Sequence, residues 1–296
     1  MHGDAPFLRE ALASVLAQDP APDEVVVVDD GSSPPLSLAG EPVRLIRREA
    51  RGGPAEARQA GLEALRADLI ALCDADDAWE PAKLAAQLRA LDEHPAAALC
   101  FGRAVVVGVD GAPTGERWEE PAGGEHGPPD LGALLFERNP IPTSSVVLRR
   151  AALQAAGGFR APDELEVGED WDLWLRLAAR GERFVCAPDA RVRYRRHPGG
   201  LSFDVTRGAW AQLALHDRHA GLADAAVRRR ARARDLTGLA RGRVRERRYA
   251  DARTALREAA ALAPPSGRDR LLALVLRIPG LRAALGRRDP WRRRRA

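Results

Sequence analysis

The first third of the chain alternates between two kinds of hydrophobic pattern. Residues 6–18 (PFLREALASVLAQ) place their apolar side chains on one helical face, whereas EVVVVDDGS at 24–32 is a β-branched run of strand length. A strand at 43–46, a helix at 51–67 and a strand at 68–74 follow. Alternating strands and helices predict an α/β protein with a mostly parallel sheet between helices.

The pattern becomes less regular after residue 80 and changes again near residue 205. The predicted elements between these points are a helix at 81–94, a strand at 97–108, a loop at 109–130, a strand at 143–150, a short helix at 151–159, an amphipathic helix at 170–181 and an extended segment at 183–197. Beyond 205 the sequence is Arg- and Ala-rich and has helical signals without strand signals. We therefore predict an α/β domain at 1–204 and an all-helical extension at 205–296.

The amino-acid composition indicates a globular protein and gives no sign of a membrane-spanning segment. A chain of 296 residues with 45% hydrophobic and 30% charged residues has the balance of a globular protein with a sizeable core. The apolar run at 271–276 is too short to span a bilayer, and the first residues do not have the pattern of a signal peptide. Cys73, Cys100 and Cys186 lie in apolar segments without metal-ligand spacing, so we expect reduced core residues and a cytoplasmic protein.

Carboxylates follow two of the predicted strands where each strand ends. Asp29 and Asp30 end one strand, and Asp74, Asp76 and Asp77 follow another. The carboxyl ends of parallel strands meet at one crevice, so both groups should lie in the same site. Carboxylates repel a phosphate directly, but they can hold Mg²⁺ or Mn²⁺, which in turn holds a diphosphate. The sequence therefore predicts a divalent metal carrying a nucleotide diphosphate, with other carboxylates accepting hydrogen bonds from the nucleoside.

Two other interpretations of the acidic residues were weighed. The simpler one is that both groups are solvated strand ends. The other is a phospho-receiver domain, which VVVVDD resembles at its acidic pair. That domain needs a lysine at the end of a later strand, whereas Lys83 is the only lysine and begins a predicted helix. The receiver interpretation is therefore rejected.

Several blocks, in order, resemble the inverting family 2 glycosyltransferases of the GT-A fold. They are LREALASVLAQ, EVVVVDDGS, the stretch RGGPAEARQAGLEALRADLIALCDADDAWEPAKLAAQ that contains a DXD motif, GGFR, GEDWDLWLRLAARG and YRRHPGGLS. The resemblance covers about residues 5–204. It implies a GT-A type nucleotide-binding fold and a non-processive, metal-dependent hexosyl-type glycosyltransferase, since no QxxRW motif follows the Glu-Asp pair.

The resemblance also implies roles for individual residues. Asp30 would contact the base or ribose, Arg58 the nucleotide and Asp74 the region of the ribose, while Asp76 would ligate the metal. Asp170 would be the general base. Its predicted place at a helix start supports this role independently, because the positive end of the helix dipole keeps a carboxylate ionised. The simpler interpretation is that the Glu-Asp pair only caps that helix.

A second group of residues is assigned to acceptor or diphosphate contacts. It consists of Glu169, Trp171, Arg195 and His197. Trp171 is expected to form a platform for a sugar ring, and Trp174, three residues later, to lie in the core. The reaction implied is a single displacement with inversion, from a nucleotide-diphosphate sugar to a hydroxyl of a glycan or lipid-linked acceptor.

The chain departs from the family pattern at its beginning. The family starts with an apolar strand, whereas MHGDAPFL leads directly into the first helix. Without that strand we expect apolar edges on its neighbours and the loss of one wall of the nucleotide pocket. We expect the natural polypeptide to start further upstream, or the chain as given to fold poorly. Gln59 also stands where Asn is usual in the family.

The C-terminal region has its own signals. Residues 247–264 resemble one tetratricopeptide-like helix pair, and the tail from Arg270 combines apolar helical faces with arginines and Trp291. The tail fits either peripheral contact with an anionic inner membrane surface or a solvated basic end. Nucleic-acid binding is not expected, because the basic residues lack interleaved aromatic residues.

Taken together, these features predict an inverting glycosyltransferase of bacterial surface-glycan assembly (exopolysaccharide, O-antigen or glycolipid). A sugar-nucleotide pyrophosphorylase would need a Gly-rich basic loop that the sequence does not show. The remaining alternative is a degenerate, non-catalytic protein of the same fold that binds nucleotide sugars or glycans.

Overall fold

The computed structural model describes residues 6–118, 122–160, 167–201 and 204–278. The chain divides into two compact units, Met1–Arg196 and His197–Ala296. The division falls slightly before the boundary predicted at residue 204. Each unit is described separately below.

Helices and strands alternate through most of the first unit. In chain order they are α1 (Leu8–Leu16), β1 (Val26–Asp30), β2 (Arg44–Arg48), α2 (Gly53–Ala64), β3 (Leu69–Ala71), β4 (Ala78–Trp79), α3 (Lys83–Glu93), β5 (Ala97–Val107), β6 (Pro113–Arg117), β7 (Gly124–His126), α4 (Asp130–Glu137), a 3-10 turn (Thr143–Ser145), β8 (Val147–Arg149), α5 (Arg150–Ala155), α6 (Glu169–Ala179) and β9 (Arg183–Arg195). The predicted helices and the principal strands of this region are present, with shorter bounds.

The strands of the first unit form two sheets. In one, β1 pairs in parallel with β2, and Val28 lies opposite Ile46. The other has the order β3-β8-β5-β9-β4, with β6 on β5 and β7 on β9. The long β5–β9 pair is parallel, and the remaining pairs of this second sheet are antiparallel. The predicted α/β class is confirmed, although the sheet is more mixed than expected.

The core of the first unit is built around β5 and β9. Leu99 and Phe184 are fully buried and lie opposite each other in the parallel pair. Helix α6 is buried around most of its circumference, including Leu173 and Trp174, as expected of a helix that is apolar on more than one face. This packing gives α6 a rigid position and hence fixes the carboxylates in its first turn.

A cavity of about 620 Å³ lies beside the edges of β1 and β3. Apolar residues of both strands line it, among them Val26 and Leu69, and Leu12 of α1 and Leu62 of α2 line it as well. Within the described residues, the sheet of β1 has no strand on this side, and neither does β3. Apolar side chains therefore lie along both of these strand edges.

The prediction of a loop at 109–130 is wrong. Its described part contains β6 and β7, which pair with β5 and β9. All five residues of β6 are exposed, so no alternation of buried and exposed positions marked the strand in the sequence. The two-residue strand β4 and the helix α4 were also not predicted. Short edge strands have little apolar signal because they gain their stability from the neighbouring strand.

The second unit is helical in its described part. Its helices are α7 (Val205–Arg218), α8 (Ala225–Arg245), α9 (Tyr249–Leu262) and α10 (Gly267–Val275). Leu213, Leu236 and Leu256 belong to one buried cluster shared by these helices. The prediction of a helix pair at 247–264 is wrong, because this segment contains the single helix α9. Helix α9 packs on α8. Between residues 6 and 278, no helix has the length and apolarity needed to cross a membrane.

Candidate active site

Asp29, at the end of β1, accepts several hydrogen bonds. The carboxylate of Asp29 is fully buried and accepts hydrogen bonds from the backbone N–H groups of Ser32 (2.9 Å) and Leu36 (3.0 Å), and it pairs with Arg47. Burial alone would raise the pKa of Asp29, but these hydrogen bonds and the charge of Arg47 outweigh it and lower the pKa to about 2. Asp29 therefore stabilises the loop that follows β1.

Asp30 is engaged in a similar way. Its carboxylate accepts the backbone N–H groups of Gly52 (3.0 Å) and Gly53 (2.8 Å) at the start of α2, and it pairs with Arg48. Free N–H groups at a helix start are satisfied by such an acceptor. The neighbouring loop comes so close that a Cβ at Gly31 (φ +71°) would lie 2.7 Å from the backbone nitrogen of Arg51. Asp30, predicted to contact the nucleoside, thus also holds the loop before α2.

The second acidic strand end is connected to α6 by an arginine. The buried guanidinium of Arg58 donates to Asp74 (2.5 Å) and to Glu169, the first residue of α6. Burial disfavours the charge of Arg58, but Asp74 and Glu169 raise its pKa above the usual range. Burial raises the pKa of Glu169 to about 7, against the opposing effect of Arg58. Three predicted site residues, Arg58, Asp74 and Glu169, are thereby brought together.

Asp77 forms the buried part of the same acidic segment. One carboxylate oxygen accepts the hydroxyl of Ser144 (2.6 Å), and the other accepts the backbone N–H of Arg195 (2.8 Å). Burial, reinforced by the nearby charges of Asp74 and Asp76, raises the pKa of Asp77 well above its ordinary value. This side chain joins the segment to β9 and to the 3-10 turn.

The donor set around Asp76 was tested for its fit to a divalent metal. Asp76, the carboxylate expected to ligate the metal, is half-buried, and the neighbouring Asp74 and Asp77 accept hydrogen bonds from Arg58 and Ser144. No group of three or more acidic, histidine or cysteine side chains suited to a metal occurs in the described ranges. Mg²⁺ is usually bound by one or two carboxylates together with substrate phosphates and waters rather than by an all-protein cage. The residues therefore fit a metal held jointly by Asp76 and a nucleotide diphosphate.

Asp170 lies in the first turn of α6, directly after Glu169. The helix is preceded by Gly168 with a φ of +96°, a conformation that favours glycine. One carboxylate oxygen of Asp170 accepts the hydroxyl of Thr143 (2.6 Å), and the other accepts the backbone N–H of Trp171 (2.6 Å). The side chain is half-buried, so one part of it remains open to a reactant.

The structure corrects the expected role of Trp171. Its side chain is buried with 5% of the residue exposed, and the indole N–H donates to the carbonyl of Leu135 (2.7 Å). A ring in this environment has no open face on which a sugar could stack. Trp174 is fully buried, as predicted.

The structure also corrects the expected phosphate contact of Arg195. Its guanidinium is almost completely buried and donates to the backbone carbonyls of Asp76 (3.0 Å) and Gly108 (3.0 Å) and to the carboxylate of Glu10 (2.6 Å). These contacts make it a connection between α1, β9 and the acidic segment. His197 is the first residue of the second unit, and its expected acceptor or diphosphate contact stays a prediction.

The sequence analysis missed the hydroxyl residues Thr143 and Ser144, because it assigned 143–150 to a strand. They form a 3-10 turn, and each contacts an acidic residue of the site. Three consecutive hydroxyl residues after a proline, within an apolar stretch, were the available signal. Lys83, which was named in rejecting the receiver interpretation, has its ammonium nitrogen over the ring of Trp79, 3.6 Å from the centroid.

The mixed sheet flanked by helices, with carboxylates gathered at strand ends, defines the class of GT-A glycosyltransferase folds. Residues 1–144 match the family model of "Glycosyl transferase family 2". Together with the relatives described next, this match shows that the chain belongs to glycosyl transferase family 2.

Two similar proteins and one solved structure illustrate the relationship. An uncharacterised protein of Mycobacterium tuberculosis is 33% identical over 210 residues, which cover 66% of this chain and 56% of the relative. The succinoglycan biosynthesis protein ExoU of Rhizobium meliloti is 30% identical over 253 residues, covering 77% of this chain and 71% of the relative. This chain therefore spans little more than half the length of the mycobacterial relative.

The solved structure is that of the mannosyltransferase PcManGT from Pyrobaculum calidifontis in complex with GDP-Man and Mn²⁺. It aligns with 98% of this chain and 86% of its own, with a TM-score of 0.58 and 18% sequence identity. At this identity the similarity shows the fold.

Proposed function

We propose that this protein is an inverting glycosyltransferase that moves a sugar from a nucleotide-diphosphate sugar to a hydroxyl of an acceptor. The observation that carries the proposal is the position of Arg58, which binds Asp74 of the DXD segment and Glu169 at the start of α6. This bridge supports a single site that contains the predicted donor-side residues and the predicted base, Asp170. Family membership supports the same reaction class.

The proposed chemistry assigns a task to each side chain. Asp170 accepts the proton of the acceptor hydroxyl as its oxygen bonds to the anomeric carbon and the bond to the diphosphate oxygen breaks. Configuration inverts because a single displacement occurs. Asp30, Arg58 and Asp74 hold the nucleoside part of the donor. Asp76 would hold Mn²⁺ or Mg²⁺, which when bound supplies Lewis-acid stabilisation of the departing diphosphate.

The substrate class is proposed from the similar proteins. PcManGT is described in complex with GDP-Man, and ExoU is named for succinoglycan biosynthesis. We propose a nucleotide-activated hexose as donor and a bacterial surface glycan or its lipid-linked precursor as acceptor. We also propose non-processive transfer, because the sequence has no QxxRW motif after the Glu-Asp pair.

The deciding experiment compares the wild-type chain with Asp170→Asn. We expect turnover to fall by about 10²–10⁴-fold, the usual contribution of a general base, while binding of UDP, GDP or dTDP in a Mn²⁺-dependent thermal-shift assay is retained. Full turnover by Asp170→Asn would refute the assignment of the base. If the wild-type protein binds a nucleotide diphosphate but transfers no sugar, the non-catalytic alternative is favoured.

We further propose that the second unit contacts an anionic membrane surface close to a lipid-linked acceptor, as expected of a cytoplasmic protein working at the inner face of the membrane. Around α10, Leu271, Leu274 and Ile278 are exposed by 61%, 55% and 43%, and exposed arginines such as Arg270 and Arg277 are interspersed with them. Apolar residues with basic neighbours suit the boundary of an anionic bilayer. The remainder of the tail, residues 279–296, lies outside the described residues.

Vesicle binding tests the membrane proposal. We expect the protein to sediment with vesicles that contain anionic lipid and not with purely zwitterionic vesicles, and we expect Leu271→Asp/Leu274→Asp to weaken the binding. Equal binding by this double variant would remove the role of the α10 residues.

A further inference from the structure

The 3-10 turn at Thr143–Ser145 carries three consecutive buried hydroxyl groups with three different acceptors. Thr143 donates to Asp170, Ser144 donates to Asp77, and Ser145 donates to the backbone carbonyl of Pro142 (2.7 Å). Thr143 is exposed by 7%, and the two serines are fully buried. Only the first of these hydroxyls acts on the carboxylate at the start of α6.

Two donors from different elements restrict the Asp170 carboxylate. The Thr143 hydroxyl lies 2.6 Å from Oδ2, and the Trp171 backbone N–H lies 2.6 Å from Oδ1. A carboxylate that accepts a hydrogen bond at each oxygen cannot rotate freely about its side-chain bonds. A distance of 2.6 Å is typical of a charge-assisted O–H···O⁻ hydrogen bond, which is stronger than a neutral one.

Arg58 acts on Asp170 through its charge, while its guanidinium donates hydrogen bonds to Asp74 and Glu169. The orientation of the Asp170 carboxylate is therefore set by the Thr143 hydroxyl and the Trp171 backbone N–H.

We propose that Thr143 is the positioning residue of the general base: its hydroxyl orients the Asp170 carboxylate toward the acceptor hydroxyl. The proposal rests on the proposed function, in which Asp170 removes the proton of the acceptor. It assigns a catalytic contribution to a residue that touches no substrate and acts through Asp170. A misplaced base lowers the rate steeply, because proton transfer requires close and well-directed approach.

The experiment compares three single variants with the wild-type chain. Thr143→Val keeps the volume of the side chain and removes the donor, Thr143→Ser keeps the donor, and Ser145→Ala removes a buried hydroxyl of the same turn that contacts no carboxylate. For Thr143→Val we expect kcat to fall by about 10–100-fold with the KM for the donor nearly unchanged. Thr143→Ser restores most of kcat, and Ser145→Ala stays close to wild type.

Several outcomes would overturn the proposal. If Thr143→Val keeps kcat within twofold of wild type while Asp170→Asn is inactive, Thr143 does not position the base, although the proposed function stands. If Thr143→Val and Ser145→Ala lose activity equally, the turn is merely structural.

A readout independent of activity separates this proposal from the proposed function. The carboxyl ¹³C resonance of Asp170 in aspartate-labelled protein, measured at one pH, should shift in Thr143→Val and stay in place in Ser145→Ala, because only the first variant removes a hydrogen bond to this carboxylate. An unchanged resonance in Thr143→Val would refute the proposal even in a protein that transfers no sugar.

Discussion

Two acidic strand ends of the first unit look alike in the sequence and differ in the structure. At the end of β1, Asp29 and Asp30 are both buried, and each accepts two or more backbone N–H groups. After β3, Asp74 shares Arg58 with Glu169, and Asp77 depends on one hydroxyl and one backbone N–H. Asp29 and Asp30 thus accept more backbone N–H groups than Asp74 and Asp77 do.

The two strand ends also differ in the pKa values of their carboxyl groups and of Glu169, which shares Arg58 with Asp74. Hydrogen bonds lower the pKa of Asp29 to about 2, while burial raises the pKa of Asp77 and brings that of Glu169 to about 7. Carboxylates with raised pKa values are often found at functional sites. A bound cation or substrate can supply the positive charge or hydrogen bonds that such a carboxylate lacks in the protein alone. The hydrogen bonds of Asp29 therefore stabilise the loop after β1, whereas a role in the reaction is proposed for the carboxylates of the second strand end.

The sharpest test of this division is Asp76→Asn. We expect a loss of turnover of about 100-fold or more, since a metal held by this carboxylate would stabilise the leaving diphosphate by several kcal/mol. The Mn²⁺ dependence of nucleotide-diphosphate binding should disappear in the same variant. Stability should change by less than about 0.5 kcal/mol, because the side chain is half-buried at the surface of the site. A variant that keeps metal-dependent binding would contradict the assignment.

Asp29→Asn should show the opposite behaviour. The free energy of unfolding at pH 7 should fall by about 2 kcal/mol, because a buried acceptor of two backbone N–H groups and an arginine loses its charge. Urea unfolding measures this quantity. Nucleotide binding, measured where the variant is folded, should be nearly unchanged.

The pH dependence of stability sharpens the same comparison. The folded-state pKa of Asp29, about 2, lies below the ordinary value of 3.8, so the stabilisation is present above pH 3.8 and is lost as the pH falls through 2. Asp29→Asn should therefore have a smaller acid slope than wild type between these values. An acid slope of Asp29→Asn equal to that of wild type would show that Asp29 is not the stabilised carboxylate.

The smallest expected effect concerns Lys83, the single lysine of the chain. It is fully buried over Trp79, its amine has no hydrogen-bond acceptor among the described residues, and burial lowers its pKa to about 7 from 10.5. The unfolded chain binds more protons between these values, so wild-type stability should rise from pH 7 to pH 10. In Lys83→Met this rise should be absent, and the variant should be the more stable protein at pH 6.

A less stable Lys83→Met at pH 6 would mean that the contact with Trp79 outweighs the cost of burying the amine. Thermal unfolding at several pH values distinguishes the two outcomes.

Particular elements show how far the sequence predicts this fold. Helices α1, α2, α3 and α6 could be recognised because an amphipathic pattern or a helix-start signal is local. Strand β6 could not, because all its residues are exposed, and β7 could not, because it has only three residues. The segment at 247–264 lacks a turn that would divide it into two helices. Trp171 and Trp174 were assigned to different environments, yet both are buried, because α6 is covered on more than one face.

In the candidate site, too, some features follow from the sequence and others only from the tertiary structure. The sequence by itself determined which residue types stand at the strand ends and at the start of α6, because these positions follow from local patterns and family motifs. Only the tertiary structure decided their partners. Arg58 reaches Glu169 across 111 positions of the chain, and Thr143 reaches Asp170 from a turn that the sequence presented as a strand. Such contacts depend on how distant elements pack, and no local pattern of hydrophobic and polar residues records them.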